Sequence, residues 1–323
     1  LVDEEEPPYR NAMEAMRAFE KLLIETQPAA VVLVDYPGWH MLAARVARKR
    51  GIPVIDYVPP QVWAWAPWRV ARLAARTDRV LSILPFEGIW FARHGVTTAW
   101  VGHPLADALA EVPVRADDAD QDPDLLAILP GSRLQEVTRN LPVQLQAAAR
   151  LMDLAGRPLR TTVCAPSARH AEAAAAIAGE STVSVEIAIG NLHDTLARAR
   201  LAFVKSGTAV LDVAHHQLPA VVFYRLSGAM PDPARRWLLS VPHVASINLI
   251  AGRRLVPEFV LPGEDWAIDA AHAALPLLEE SDLRRRTISG LAAANVAWET
   301  PGTADRAASW VVSTAEASGA REE

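Results

Sequence analysis

Leu129-Pro130-Gly131-Ser132-Arg133-Leu134-Gln135-Glu136-Val137 is the stretch on which the fold turns. The apolar run from Leu125 to Leu129 reads as a short buried strand. Pro130-Gly131 stops it as a turn, and a helical pattern follows from about Glu136. This is strand, tight loop, helix, with a glycine, a hydroxyl and a guanidinium in the loop. A helix N-terminus offers unpaired N–H groups and the positive end of its dipole, which suits a phosphate. Gly131 lets the backbone come close, Ser132 can donate, and Arg133 can fork onto two phosphate oxygens. A capping serine beside a solvated arginine would look the same, so the rest of the chain has to decide.

Working outward, the alternation continues on both sides. Downstream, the pattern predicts helix 141–155, strand 161–164, an Ala-rich helix 168–178, strand 183–187, helix 192–199, strand 201–204, helix 209–216 and strand 220–223. Helices from Pro231 and Asp265 complete the chain. Upstream, Met13, Met16, Phe19, Leu22 and Leu23 space out an amphipathic helix over 9–25. Strand 31–34 follows, then helix 41–49 after a break at Pro37-Gly38. Strand 54–58, helix 70–75, strand 80–84, helix 89–94 and strand 99–101 come next. Strands alternating with helices mean parallel crossovers and helices on both faces of a sheet. The acidic, Pro-containing segment 111–124 interrupts the pattern and reads as a linker. The expected architecture is therefore α/β, with an N-terminal domain over 1–110 and a C-terminal domain over 125–323 that includes the terminal helices. The first domain shows only four strands where a doubly wound domain has about five or six. That predicts N-terminal strands absent from this chain.

Composition narrows the function. A formal net charge of −6 argues against a general nucleic-acid binder. Cys164 is the single cysteine, so neither an intrachain disulfide nor a Cys-rich metal site can form. No apolar run reaches the roughly 18 residues of a spanning helix, and no secretory signal is visible.

Several stretches carry candidate chemistry. Asp35 closes a predicted parallel strand, where ligands of open α/β sheets bind. Its carboxylate suits a general base, though most aspartates that follow a strand are helix caps or turn residues. Trp63, Trp65 and Trp68 fall within six residues and run into Arg69, Arg72 and Arg76. Trp with Arg suits a lipid headgroup interface, and Trp90 and Phe91 would extend it. Core packing of the same rings is the alternative. His103, in Gly102-His103-Pro104-Leu105-Ala106-Asp107, suits phosphate binding or proton transfer. Lys205-Ser206-Gly207-Thr208-Ala209 is a second strand-to-helix loop fit to cradle a phosphate. Asp212 stands one turn on, placed to accept hydrogen bonds from a ribose. Two such loops in one domain fit a pyrophosphate better than either alone. The stretch from Ser246 to Phe259, with Asn248, Arg253 and Glu258, can finish a polar pocket. HExxH, paired-Asp metal and GxSxG motifs are missing.

Taken in order, these stretches resemble the lipid-A-disaccharide synthase family. The resemblance rests on Val-Asp35-x-Pro, Tyr57-Val-x-Pro-Gln-Val-Trp-Ala-Trp, Leu84-Pro-Phe-Glu, Gly102-His-Pro-Leu-Ala-Asp, Leu129-Pro-Gly-Ser-Arg, Ser206-Gly-Thr-Ala and Asn248-Leu-Ile-Ala-Gly-Arg. It runs from about Pro28 to Phe259. It implies a GT-B fold: two Rossmann-like, doubly wound parallel-sheet domains facing a cleft. It also implies an inverting, metal-independent glycosyltransferase of lipid A biosynthesis. A diacylglucosamine would pass from UDP to the 6-hydroxyl of lipid X (diacylglucosamine 1-phosphate), giving the β-linked disaccharide 1-phosphate and UDP. Carried over, Asp35 is the catalytic base and Arg133 the phosphate-loop arginine, with Asn248 also needed for catalysis. Gly131, Ser132, Arg133, Ser206, Gly207, Thr208 and Asp212 bind UDP. Trp63, Trp65, Trp68 and His103 face the acceptor and its lipid, and Arg253 is a further carry-over.

The implied partners are the UDP-diacylglucosamine donor, lipid X and the inner-membrane surface of a Gram-negative-type bacterium, approached from the cytoplasm. A homodimer is left open; nucleic acid is not expected. Two departures stand out. The family reads Asp-Ala-Pro-Asp-Phe-Asn where this chain has Asp35-Tyr36-Pro37-Gly38-Trp39-His40, and its Glu after Ser-Gly-Thr is Asp212 here. The family's N-terminal Gly-Glu-x-Ser-Gly-Asp loop does not occur in these 323 residues. Rival readings are a transferase of the same fold with another acceptor, or a non-catalytic UDP- or lipid-binding relative.

Overall fold

The computed structural model describes residues 8–114, 121–225, 240–261 and 266–319. The chain divides into two compact units: Leu1–Ala110 with Leu238–Ser240 and Trp298–Glu323, and Glu111–Trp237 with Val241–Ala297.

The first unit is a four-stranded parallel sheet in the order β1 (Val31–Val34), β2 (Val54–Tyr57), β3 (Arg79–Ser82), β4 (Thr98–Trp100). Register runs Val31 to Val54 and Val34 to Tyr57 across the first pair. Its helices are α1 (Pro8–Thr26), α2 (Pro37–Arg48), α3 (Val62–Trp65), α4 (Val70–Arg76), α5 (Glu87–Arg93) and α6 (Pro104–Leu109). Leu23, Val31, Leu33, Ala43, Ala44 and Ala47 form the core between α1, α2 and β1. The sequence reading took Pro37-Gly38 as a separator. Instead Pro37 is the first helical residue, a position that spares its missing N–H and uses its fixed φ.

The second unit carries six parallel strands in the order β10-β9-β8-β5-β6-β7. They are β5 (Leu125–Leu129), β6 (Arg160–Ala165), β7 (Val185–Ile189), β8 (Leu201–Lys205), β9 (Ala220–Arg225) and β10 (Glu258–Leu261). Every residue of β5 is buried, as its apolar run requires. The helices are α7 (Leu134–Ala155), α8 (Ala168–Gly179), α9 (Leu192–Arg198), α10 (Ala209–His215), α11 (Ser246–Ala251), α12 (Trp266–Leu278) and α13 (Asp282–Trp298). Leu126, Ile128, Phe203 and Phe223 of the sheet pack under Leu141, Leu145 and Leu151 of α7 and Ala274 and Leu278 of α12. Reading outward from β5, the strands run one way through β6 and β7 and the other way through β8, β9 and β10. The order therefore reverses between β5 and β8, the switch point where such sheets bind ligands.

Several expectations are corrected. The last helix, α14 (Thr303–Gly319), belongs to the first unit, not to the C-terminal domain. Ala307 packs with Ile55, Leu81 and Val101, and Asp107 accepts from the N–H groups of Gly302, Thr303 and Ala304 at 2.6–3.0 Å, capping α14 from outside. Gly102 has φ +94, and a Cβ there would lie 2.8 Å from the Arg306 guanidinium, so this glycine makes room for the returning helix. Helix α7 starts seven residues before Leu141 and runs through Pro142, at the loss of one ladder bond. Strand β7 begins two residues later than read, and α11 and β10 were not foreseen. Of the supposed linker, residues 121–124 lead into β5 and dock on the second unit, where Asp122 N–H donates to the Arg198 carbonyl at 2.9 Å. The helix expected from Pro231 lies outside the described residues. Among the described residues no helix is long and apolar enough to cross a membrane.

Candidate functional site

A cavity of about 570 Å³ opens at the carboxyl ends of β5, β6, β7 and β8. Both loops singled out from sequence line it: Gly131, Ser132 and Arg133 after β5, and Gly207 and Thr208 after β8, with Asp212 one turn further on. The two loops are brought together because β5 and β8 are paired neighbours at the switch point. Gly131 has φ +136, and a Cβ on it would sit 2.5 Å from the Glu136 side chain, so the loop closes on the helix only with glycine here.

Two residues of this cavity escaped the sequence reading. Glu136, in the first turn of α7, is mostly shielded and accepts from Ser132 N–H at 3.0 Å and Arg133 N–H at 3.4 Å. Its other oxygen pairs with the exposed Arg133 guanidinium at 3.3 Å and the Lys205 ammonium at 2.9 Å. Burial alone would raise the Glu136 carboxyl, but Lys205 and the loop N–H groups outweigh it and hold it below its ordinary value. Lys205 ends β8 and aims across at the β5 loop. Its signal in the sequence was its place before Ser206-Gly207-Thr208, which means nothing until the strand order is known.

Other assigned residues are placed differently. The Ser206 hydroxyl donates to the Val244 carbonyl at 2.7 Å, so it anchors a neighbouring loop and does not point its donor at a phosphate. Asp212 is buried at the cavity wall, and burial pushes its carboxyl up to about 6, with His215 drawing it partly back. Asn248 is wholly buried and fully committed. Its amide donates to the Val256 carbonyl at 2.9 Å and Glu258 at 3.2 Å, and its oxygen accepts from Leu255 and Val256 N–H. Asn248 therefore fixes the turn from α11 to β10 and does not line the cavity between the β5 and β8 loops. Glu258 shares that task, accepting from Val244 and Ala245 N–H at 3.0 and 2.8 Å. Arg253 lies in the turn held by these contacts, its N–H donating to the Asn248 carbonyl.

In the first unit Asp35 is exposed at the carboxyl end of β1, its N–H bonded to the Tyr57 carbonyl at 3.1 Å. Asp35 and Tyr36 both have left-handed backbones, φ 56 and φ 49. Non-glycine residues hold that conformation only where the surroundings impose it, and such strain collects at functional sites. Asp56, on the adjacent strand, is buried, and burial followed by the Asp35 charge raises its carboxyl well above the ordinary value. His40, one turn into α2, is held down by burial and drawn back by Asp35.

The tryptophans divide. Trp63 is buried, its indole N–H donating to Glu87 at 2.9 Å, and it packs edge-on against Phe86. Glu87 also accepts from Ile83 and Leu84 N–H, and burial pushes it up to about 6. Trp63 is therefore core, not lipid-facing, and so is the fully buried Phe91. Trp65 and Trp68 are exposed, with the Arg69 guanidinium 5.1 Å from the Trp65 ring.

His103 is also reassigned. Its Nδ1 accepts from Leu105 N–H at 3.1 Å as the cap of α6, its ring lies edge-on to Trp298, and burial lowers it to about 4. It caps α6 through Nδ1, and burial favours its neutral form. Its folded value lies below its unfolded one, so its stability contribution is present above pH 6.5 and lost as pH falls toward 4, by up to about 3 kcal/mol. His103→Asn keeps a capping side chain without that titration. The variant is expected to gain stability relative to the native chain as denaturation is repeated from pH 6.5 down to 4. A difference that stays constant would contradict a buried neutral imidazole.

Comparison with known proteins bears on both units. The family model described as Lipid-A-disaccharide synthetase matches residues 10–294. A lipid-A-disaccharide synthase of Syntrophus aciditrophicus is 34% identical over 312 residues, covering 93% of this chain and 79% of its own. One from Pseudomonas aeruginosa is 34% identical over 272 residues, covering 80% and 70%. Among solved structures, the S. aureus MnaA–UDP co-structure aligns with a TM-score of 0.62 at 12% identity, over 94% of this chain and 81% of that one. The UDP-forming trehalose-phosphate synthase of Burkholderia vietnamiensis aligns with a TM-score of 0.58 at 13% identity, over 100% and 80%. At such identities these two speak for the fold.

Proposed function

This chain belongs to the lipid-A-disaccharide synthase family, a GT-B glycosyltransferase family that forms the lipid A disaccharide from a UDP-sugar donor and a lipid acceptor, and on that premise we propose which of its residues perform the transfer. The donor is UDP-2,3-diacylglucosamine and the acceptor lipid X. The UDP diphosphate lies in the second unit's cavity between the β5 and β8 loops. Arg133 and Lys205 supply two positive charges there, and the loop N–H groups of α7 add the helix dipole. These groups stabilise the charge that grows on UDP as the anomeric bond breaks, in the role a metal ion plays elsewhere. Asp212 accepts from the ribose. Asp35 takes the proton of the acceptor's 6-hydroxyl, leaving the attacking oxygen to displace UDP with inversion. The observation that carries the reading is the convergence of both small-residue loops and both cations on one cavity at the switch point.

Trp65, Trp68 and Arg69 give the first unit an aromatic and basic surface suited to a membrane interface. We assign it to peripheral docking on the inner membrane, from the cytoplasmic side. The test is a transfer assay with lipid X presented in anionic vesicles or dispersed in detergent. Trp65→Ala with Trp68→Ala is expected to cut the vesicle rate about tenfold and leave the detergent rate and the stability unchanged. Trp63→Phe is expected to do the reverse, destabilising the first unit by about 1–3 kcal/mol by taking a donor from buried Glu87. Equal rates in vesicles for the double variant would reject the docking surface. Equal use of an acceptor without acyl chains would reject the substrate assignment.

A further inference from the structure

The Glu136 carboxylate engages groups of the kind that bind a phosphate. It takes the Ser132 and Arg133 N–H groups at the start of α7, and it takes both cations of the cavity, Lys205 at 2.9 Å and Arg133 at 3.3 Å. An anion at a helix N-terminus, held by two N–H groups, a guanidinium and an ammonium, is what a bound phosphoryl group looks like chemically. Rotation about its own side-chain bonds would release the carboxylate from these contacts, and the cavity beside it, about 570 Å³, has room for it to turn aside.

We propose that Glu136 is an internal counter-anion that the donor's diphosphate must displace, and that it thereby sets how much negative charge a ligand must bring. This rests on the donor-site reading above. Two cations and one carboxylate leave a net charge of about +1 at the seat. A diphosphate brings two or more negative charges and can outbid a single carboxylate for Arg133 and Lys205. A monophosphate brings fewer than two on a single phosphoryl group, about one charge less than a diphosphate and with no second phosphoryl group to reach the other cation, so it displaces the carboxylate from Arg133 and Lys205 less completely. Glu136 therefore favours a nucleoside diphosphate over a monophosphate, and it keeps the cations partly neutralised and placed until the donor arrives.

The test is calorimetric titration of the full chain with UDP and with UMP. Glu136→Gln is the decisive variant, because glutamine can keep the capping bond to the loop N–H groups while losing the charge. It is expected to bind UDP about tenfold more tightly and to bind UMP with a larger gain, so that the UDP-to-UMP preference narrows. Glu136→Ala, with thermal denaturation to show that α7 is intact, should shift both affinities in the same direction. Weaker UDP binding by a stably folded Glu136→Gln would overturn the proposal and make Glu136 a fixed strut for the two cations. An unchanged affinity for both ligands would overturn it too. Either result leaves the donor site standing, provided Arg133→Ala still weakens UDP. Loss of that Arg133 dependence would instead reject the site itself.

Discussion

Arg133→Ala and Lys205→Ala are each expected to weaken UDP binding by about ten- to a hundredfold, and together to remove measurable transfer. Each removes one charge-assisted contact of about 1.5–3 kcal/mol to a diphosphate oxygen. The effect on turnover should exceed the effect on UDP affinity, since the leaving charge is greater in the transition state than in the bound donor. The two substitutions should also combine non-additively. Both cations share Glu136, at 3.3 and 2.9 Å, so removing one gives the other wholly to that carboxylate. Isothermal titration with UDP and a radiolabelled transfer assay read the two quantities separately. Arg133→Lys should recover only part of the loss, because an ammonium cannot fork onto two oxygens. Native UDP affinity in the double variant would place the diphosphate elsewhere.

Asp35→Asn is expected to lower kcat by about a hundred- to ten-thousandfold, the usual worth of a general base, with UDP affinity unchanged. The choice of asparagine matters. Asp35 holds a left-handed backbone at φ 56, which asparagine tolerates and most residues do not. The variant thus removes the charge and keeps the turn, whereas Asp35→Ala would confuse lost basicity with strain at the β1–α2 junction. Stability measured by denaturation should match the native chain within about 0.5 kcal/mol. A kcat near native would transfer the role of base to another group.

The parallel α/β alternation was legible because most strands are short apolar runs and most loops are marked by Gly or Pro. β5 and its Pro130-Gly131 stop are the clearest case, matching residue for residue. Where periodicity is overridden, the reading failed. The helix read over 141–155 starts at Leu134 and carries Pro142 inside it, because core packing of Val137, Leu141 and Leu145 outweighs one missing ladder bond. The return of α14 to the first unit is a long-range event set by Asp107 and Arg306, and no local signal announces it.

The site was legible at its glycines and hydroxyls and less so at its charges. Gly131, Ser132, Arg133, Gly207 and Thr208 line one cavity. Ser206 and Asn248 are polar residues of the right motifs that the fold spends on its own backbone, at Val244 and at Leu255 and Val256. Trp63 and His103 were read as outward-facing because sequence cannot tell a ring with a buried partner from one without. Glu87 and the Leu105 N–H are those partners. Lys205 and Glu136 were passed over because their meaning depends on β5 and β8 being neighbours.

Everything proposed for the donor turns on the β5 and β8 loops holding its diphosphate. A crystal structure of the chain with UDP tests it most directly. Phosphate oxygens are expected within hydrogen-bonding distance of the Arg133 guanidinium and the Lys205 ammonium, with the ribose against Asp212. Density for the nucleotide anywhere that leaves Arg133 and Lys205 still paired only with Glu136 would contradict it.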